Sequence, residues 1–146
     1  MPAWSDHLAL ASRCRSAHET LFHNGQHSEW VVAIAFYEAL HLVEAVAASD
    51  PGFQQDRAVT HMERREFIYQ HDRFKLIRLA YKELHRASLI ARYMEGGSRA
   101  TDHFFAAPNL HQLVVVGWLG TIRRWAASEL KVPEIANPAG AAPAKG

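Results

Sequence analysis

Residues Trp30–Ala48 read WVVAIAFYEALHLVEAVAA, a stretch apolar on nearly every side when wound as a helix. At about 100° per residue, positions 30, 34, 37, 41 and 44 fall in one narrow sector. Val31, Ala35, Leu42 and Val46 cover a second face. Ala33, Phe36, Leu40, Val43 and Ala47 cover a third. A helix apolar all round belongs at the centre of a core. Tyr37, His41 and Glu44 share the first sector, and a carboxylate and an imidazole there are costly unless partners meet them. These three side chains therefore anchor a buried polar network or line a pocket.

Four more helical segments surround this one. The first runs from Ser5, a good N-cap, to Phe22, and Asn24-Gly25 tolerates the positive φ that ends it. The central helix starts near Ser28 and stops at Asp50-Pro51-Gly52. A loop at 51–59 follows. Thr60 and Glu63 form a capping box that opens a third segment, reaching His71. The fourth spans Asp72 to Glu95 and closes at Gly96-Gly97. Asn109 with Gln112 reads as another capping box, and the fifth helix runs to Pro133. Its valine-rich run Leu113–Leu119 has the face pattern of a helix rather than the alternation of a strand. The spacing predicts an all-α, antiparallel four- to five-helix up-and-down bundle in one domain, 1–136. Residues 137–146, rich in Ala, Pro and Gly, read as a disordered tail.

Charge is unevenly spread along the 146 residues. The net is −5 over residues 1–56, +5 over 57–99 and +1 beyond. The basic middle either attracts phosphates or pairs with the acidic first third. Cys14 is the single cysteine, which excludes an intrachain disulfide and reads as a small core residue. No signal peptide and no apolar run of membrane-spanning length are evident, so a cytoplasmic location without membrane association is the expectation.

The oddity of the central helix recurs. In the fourth helix Tyr81, His85, Ser88 and Arg92 share a stripe, and in the third His61, Arg64, Ile68 and His71 share a face. Glu44 then has Arg92 or Arg64 as a natural partner. Arg64 and His71 are seven apart, a return to the same helical face. An arginine can hold a phosphate bidentately while a histidine moves a proton. RNA needs no metal for such chemistry, because its 2′-OH is an internal nucleophile.

Metal chemistry is the rival. Glu38-Ala-Leu-His41 has the Glu-x-x-His spacing of carboxylate-bridged di-iron bundles, but its required counterpart is missing, so no metal and no cofactor are expected. His18, His23 and His27 read as exposed histidines near a helix end. Gly117 and Gly120 read as points of close helix packing. Trp30, Trp118 and Trp125 read as core or interface.

Several of these strings together resemble small bacterial HEPN-like proteins. They are Trp30–Ala45, His61-Met-Glu-Arg64, Tyr81-Lys-Glu-Leu84, Ser88 and Ala91-Arg-Tyr93. The resemblance covers about residues 22–95. It implies an all-α bundle, commonly dimeric, associated with RNA cleavage or RNA binding in toxin and defence systems, with an antitoxin or other partner protein. Nuclease members carry an arginine, four to six residues, then a histidine. Arg64 and Arg65 both satisfy this with His71. The residue after the arginine departs from the usual amide or aspartate, since Arg65 follows Arg64 and Glu66 follows Arg65. Two readings stay open. One is an RNA-binding protein acting as a metal-independent endoribonuclease through Arg64 and His71. The other is a non-catalytic dimeric interaction module whose network of Tyr37, His41, Glu44, His61, Tyr81, Ser88 and Arg92 is structural.

Overall fold

The computed structural model describes residues 3–25, 28–53, 60–94, 97, 105 and 109–137. All regular structure among them is helical. Helix α1 spans Trp4–His23, α2 Ser28–Ala48, α3 His61–Gln70 and α4 Arg78–Tyr93. The fifth helix, α5, is a π-helical stretch, Gln112–Leu119, that runs directly into the α-helix Gly120–Leu130. Short 3₁₀ turns occupy Pro51–Phe53, Asp72–Ile77 and Pro133–Ile135. The expected tail beyond residue 137, most of the loop before α3, Glu95 and Gly96 lie outside the described residues.

Helix α2 packs most extensively against α1 and also meets α4 and α5. Its Ala35, Phe36, Ala39, Val43, Ala45 and Val46 have no exposed surface. Each large apolar side chain so buried contributes about 1.5–3 kcal/mol, so this helix is the main source of cohesion. Its length and composition alone would let it cross a membrane, with a mean hydropathy of 1.7. That corrects the expectation that no segment reaches such a length. Most of this helix is buried inside the bundle.

Helix starts and stops follow local chemistry, with some shifts. Thr60 and Glu63 form the expected capping box: Thr60 N donates to Glu63 Oε2 at 2.8 Å, and Glu63 N to Thr60 Oγ1 at 3.2 Å. Helix α1 starts one residue before Ser5. Asp6 Oδ2 caps it by accepting from Ala3 N at 2.9 Å. Gly25 takes the expected positive φ, +67°. The fourth segment begins as a 3₁₀ turn, not as α-helix. Phe74 and Ile77, three apart, both point inward with no exposure, the one face a three-residue repeat brings together.

The largest departure is the π-helical stretch of α5, which begins without a side-chain cap. An i→i+5 pattern brings residue 117 against the carbonyl of residue 112. A Cβ at Gly117 would stand 3.3 Å from Gln112 O, and the nearest neighbours of a Cβ at Gly120 are Arg124 Nη1 and Val115 O. Both glycines therefore face their own helix, not a packed neighbour.

Candidate functional site

Helices α2, α3 and α4 bring the predicted stripes together. Arg64 Nε donates to Glu44 Oε1 at 2.5 Å, and the two residues are 5% and 7% exposed. Arg64 Nη1 lies 3.2 Å from His61 Nδ1. A guanidinium can only donate, so this imidazole nitrogen accepts, and His61 carries its proton on Nε2. Arg64 also hydrogen-bonds Tyr81, whose phenol burial pushes up to about 12 against the opposing pull of that arginine. Of the two partners expected for Glu44, Arg64 is the one found. Arg92 goes elsewhere: Nη1 donates to Tyr37 Oη at 2.9 Å and Nη2 to Ser88 Oγ at 3.3 Å. Ser88 in turn donates to the His85 carbonyl at 2.7 Å.

The histidines of this cluster are held neutral. Burial, then the fields of His7 and Arg64, push His41 down to about 4. Burial, then His61 and Arg92, push His85 to about 4. His61 is lowered by burial and by the same two arginines, Arg64 foremost. Burial also lowers His7, against Glu44, which pulls it up. His7 was not foreseen. It comes from α1, and its Nδ1 lies 3.4 Å from Nδ1 of His41. His85 stacks on Phe36, ring centres 4.9 Å apart at 16°, and on His61 at 5.5 Å and 18°.

His71 is not part of this cluster. Helix α3 ends at Gln70, and His71 turns to extended backbone, φ −107° and ψ 128°. Its ring meets Phe53 edge-on at 4.4 Å. Seven residues along a helix is also about 10 Å of rise. Arg64 therefore faces the core pair while His71 sits exposed beyond the helix end. Arg65 is exposed on the outer side of α3.

A second buried network was missed. Glu38, on a different side of α2, accepts from Arg123 Nε at 2.6 Å and Nη2 at 2.7 Å, a bidentate pair. His18 Nε2 completes it at 2.9 Å from Oε1. Glu38 is 2% exposed, His18 1% and Arg123 8%. Burial raises the Glu38 carboxyl, but hydrogen bonds and charge from Arg123 and His18 outweigh it, and the net shift is downward. His18 is thus a core residue, not an exposed one, while His23 is exposed; His27 lies outside the described residues. Glu38 and His41 do not converge on one point, since Glu38 meets α1 and α5 while His41 meets His7. Among the described residues no group of three or more metal-ligating side chains gathers. The clue in the sequence was a second acid on an otherwise apolar helix.

Outside the core, α3 and α4 border a groove of about 200 Å³, lined by Arg65, Tyr69, Tyr81, Lys82, His85 and Arg86. The basic middle segment pairs in part with the acidic first third: Arg64 with Glu44, and Arg73 Nη1 with Asp50 at 2.7 Å. Arg65, Lys82 and Arg86 enter no ion pair among the described residues and are exposed. Their charge faces solvent beside two tyrosine rings. Such a groove suits a chain of phosphates with stackable bases. No protein-family model, curated protein or solved structure matches the chain.

Proposed function

We propose that the protein is a HEPN-like antiparallel bundle that binds single-stranded RNA along the α3–α4 groove, as a homodimer in a toxin- or defence-type setting. One observation carries this reading: three exposed cations, with no ion pair among the described residues, and two tyrosines line one groove. Phosphates meet Arg65, Lys82 and Arg86, and Tyr69 offers an exposed ring to a base. Arg64 cannot serve as the phosphate ligand without abandoning Glu44, so Arg65 takes that role. Cleavage on this reading needs no metal. Arg65 holds the phosphate and His71 moves a proton between the 2′-OH and the leaving oxygen. The second reading, a module that binds without cutting, is favoured by the separate placement of Arg64 and His71.

A labelled single-stranded RNA tests both. Fluorescence anisotropy should show binding to the wild type, and Lys82→Glu with Arg86→Glu should weaken it at least tenfold, an order expected for reversing two phosphate contacts. In excess EDTA, cleavage leaving a 2′,3′-cyclic phosphate, abolished by His71→Ala, supports the nuclease reading. Binding without cleavage selects the module. RNA that neither binds nor breaks sinks both. His71 is the cleaner variant, because Arg64→Ala removes a buried charge partner and threatens the fold.

The dimer has its own support. Helix α5 buries Val114, Val115, Leu119 and Ile122 but leaves Leu113 and Val116 exposed. An apolar pair on a helix face fits a partner copy. Light scattering should give twice the 16.4 kDa chain mass. Val116→Lys should shift the protein to monomer without loss of thermal stability of the fold. A wild-type monomer at tens of micromolar contradicts this.

A further inference from the structure

On the side of the bundle away from the α3–α4 groove, two cavities meet where α1 approaches α5. The first, about 280 Å³, is apolar, walled by Phe22, Val31, Val32, Phe105, Leu110 and Val114. The second, about 330 Å³, has the guanidinium groups of Arg15, Arg123 and Arg124 on its wall, beside the His23 and His111 rings. Phe22, His111 and Val115 border both. Phe22 and His111 stack with centres 3.7 Å apart at 19°, and this pair stands where the two cavities meet.

The charges around the second cavity are unevenly committed. Glu19 is the one acid among its described lining residues, and Arg15 Nε pairs with it at 3.2 Å. Arg123 uses Nε and Nη2 on Glu38, leaving Nη1. Arg124 is exposed, and its contact is a long one, Nη2 to Thr121 Oγ1 at 3.4 Å. Gly120 makes room for that guanidinium, since a Cβ there would stand 3.2 Å from Arg124 Nη1. His111 is lowered by burial and then by the fields of His18 and Arg123, which outweigh the opposing pull of Glu19. An apolar wall beside an exposed guanidinium strengthens attraction for an anion with an apolar body.

We propose that the two cavities form one site for a small aromatic anion. Its apolar body lies against Phe22 and Leu110, and its carboxylate, sulfonate or phosphate meets Arg124. This site is separate from the RNA groove and does not depend on it, although Val116 of the proposed dimer face borders its second cavity.

The probe is 1-anilinonaphthalene-8-sulfonate, compared with the uncharged N-phenyl-1-naphthylamine. The sulfonate dye should saturate at one per chain. Arg124→Ala should weaken it about tenfold, the order expected for losing one charge-assisted contact, and leave the neutral dye within about twofold. Leu110→Trp, which fills the apolar cavity, should weaken both dyes. Arg13→Ala, an exposed cation elsewhere on α1, should change neither. Competition by 1-naphthoate but not by 1-naphthalenemethanol should confirm that the anion is read. Non-saturable dye binding, equal loss of both dyes in Arg124→Ala, or an unchanged sulfonate dye in that variant would overturn the proposal. Because Arg124 is exposed, a folding defect does not obscure the result.

Discussion

Glu38→Ala and Glu44→Ala should each lower the thermal midpoint by roughly 10 °C or more, whereas Glu19→Ala should move it by about 1–2 °C. The reason is what each substitution leaves behind. Removing Glu38 strands Arg123 and His18 in the core, and removing Glu44 takes the carboxylate from buried Arg64, whose charge is then left beside the neutral groups of His61 and Tyr81. Breaking such a pair typically costs about 3–5 kcal/mol. Glu19 makes an i,i+4 contact with partly exposed Arg15, and pairs of that kind are worth about 0.3–0.5 kcal/mol. A double replacement, Glu44→Leu with Arg64→Met, should recover part of the loss, since an apolar pair needs no counter-charge while Tyr81 and His61 give up a hydrogen bond. Small and equal shifts in all three single variants would contradict buried pairing.

Acid should destabilise the protein well before its carboxylates titrate. His41 and His85 sit near 4 in the folded state, and His7 and His61 are lowered too, against about 6.5 when unfolded. Between these limits the unfolded chain binds more protons than the folded one. Stability therefore falls as pH drops from about 6.5 towards 4, and is insensitive to these groups above about 7. Glu38, whose carboxyl is lowered, adds a loss only below the ordinary glutamate range. The thermal midpoint should fall by several degrees from pH 7.5 to 5. His85→Phe, which keeps a ring on Phe36 and removes a proton site, should flatten that slope. A midpoint constant from pH 7.5 to 5.5 would contradict the neutral cluster.

The sequence made the interior legible along the stripes and illegible across them. Tyr37, Glu44, His61, Arg64, Tyr81, Ser88 and Arg92 share faces at helical spacing, and the structure gathers them. What periodicity cannot show is which side chain meets which. Glu44 had two plausible arginines, and only the tertiary fold, which brings Arg64 to Glu44 and Arg92 to Tyr37, decides between them. His7 and the His18–Glu38–Arg123 network join residues from α1, α2 and α5, with the partners 20 and 85 positions apart. No local pattern records such pairing. The Arg64–His71 spacing holds only while the helix continues, and the break after Gln70 sets the two apart. The π-helical stretch escaped notice because its apolar pattern also suits an α-helix, and the loosening at Gly117 has no distinct spacing. Membrane-spanning length, finally, is a property of α2 that only its burial puts in context.

On the proposed reading RNA meets the outer α3–α4 face, and the buried stripes hold the fold together. The most direct test is the salt dependence of RNA binding. The logarithm of affinity should fall with the logarithm of salt concentration. Substituting Arg65, Lys82 and Arg86 together by alanine should reduce the slope by roughly 2, the amount expected for three phosphates on a single strand. The triple variant keeps its fold, because all three are exposed and none enters an ion pair among the described residues. An unchanged slope in a folded triple variant would contradict the account and move the RNA surface elsewhere.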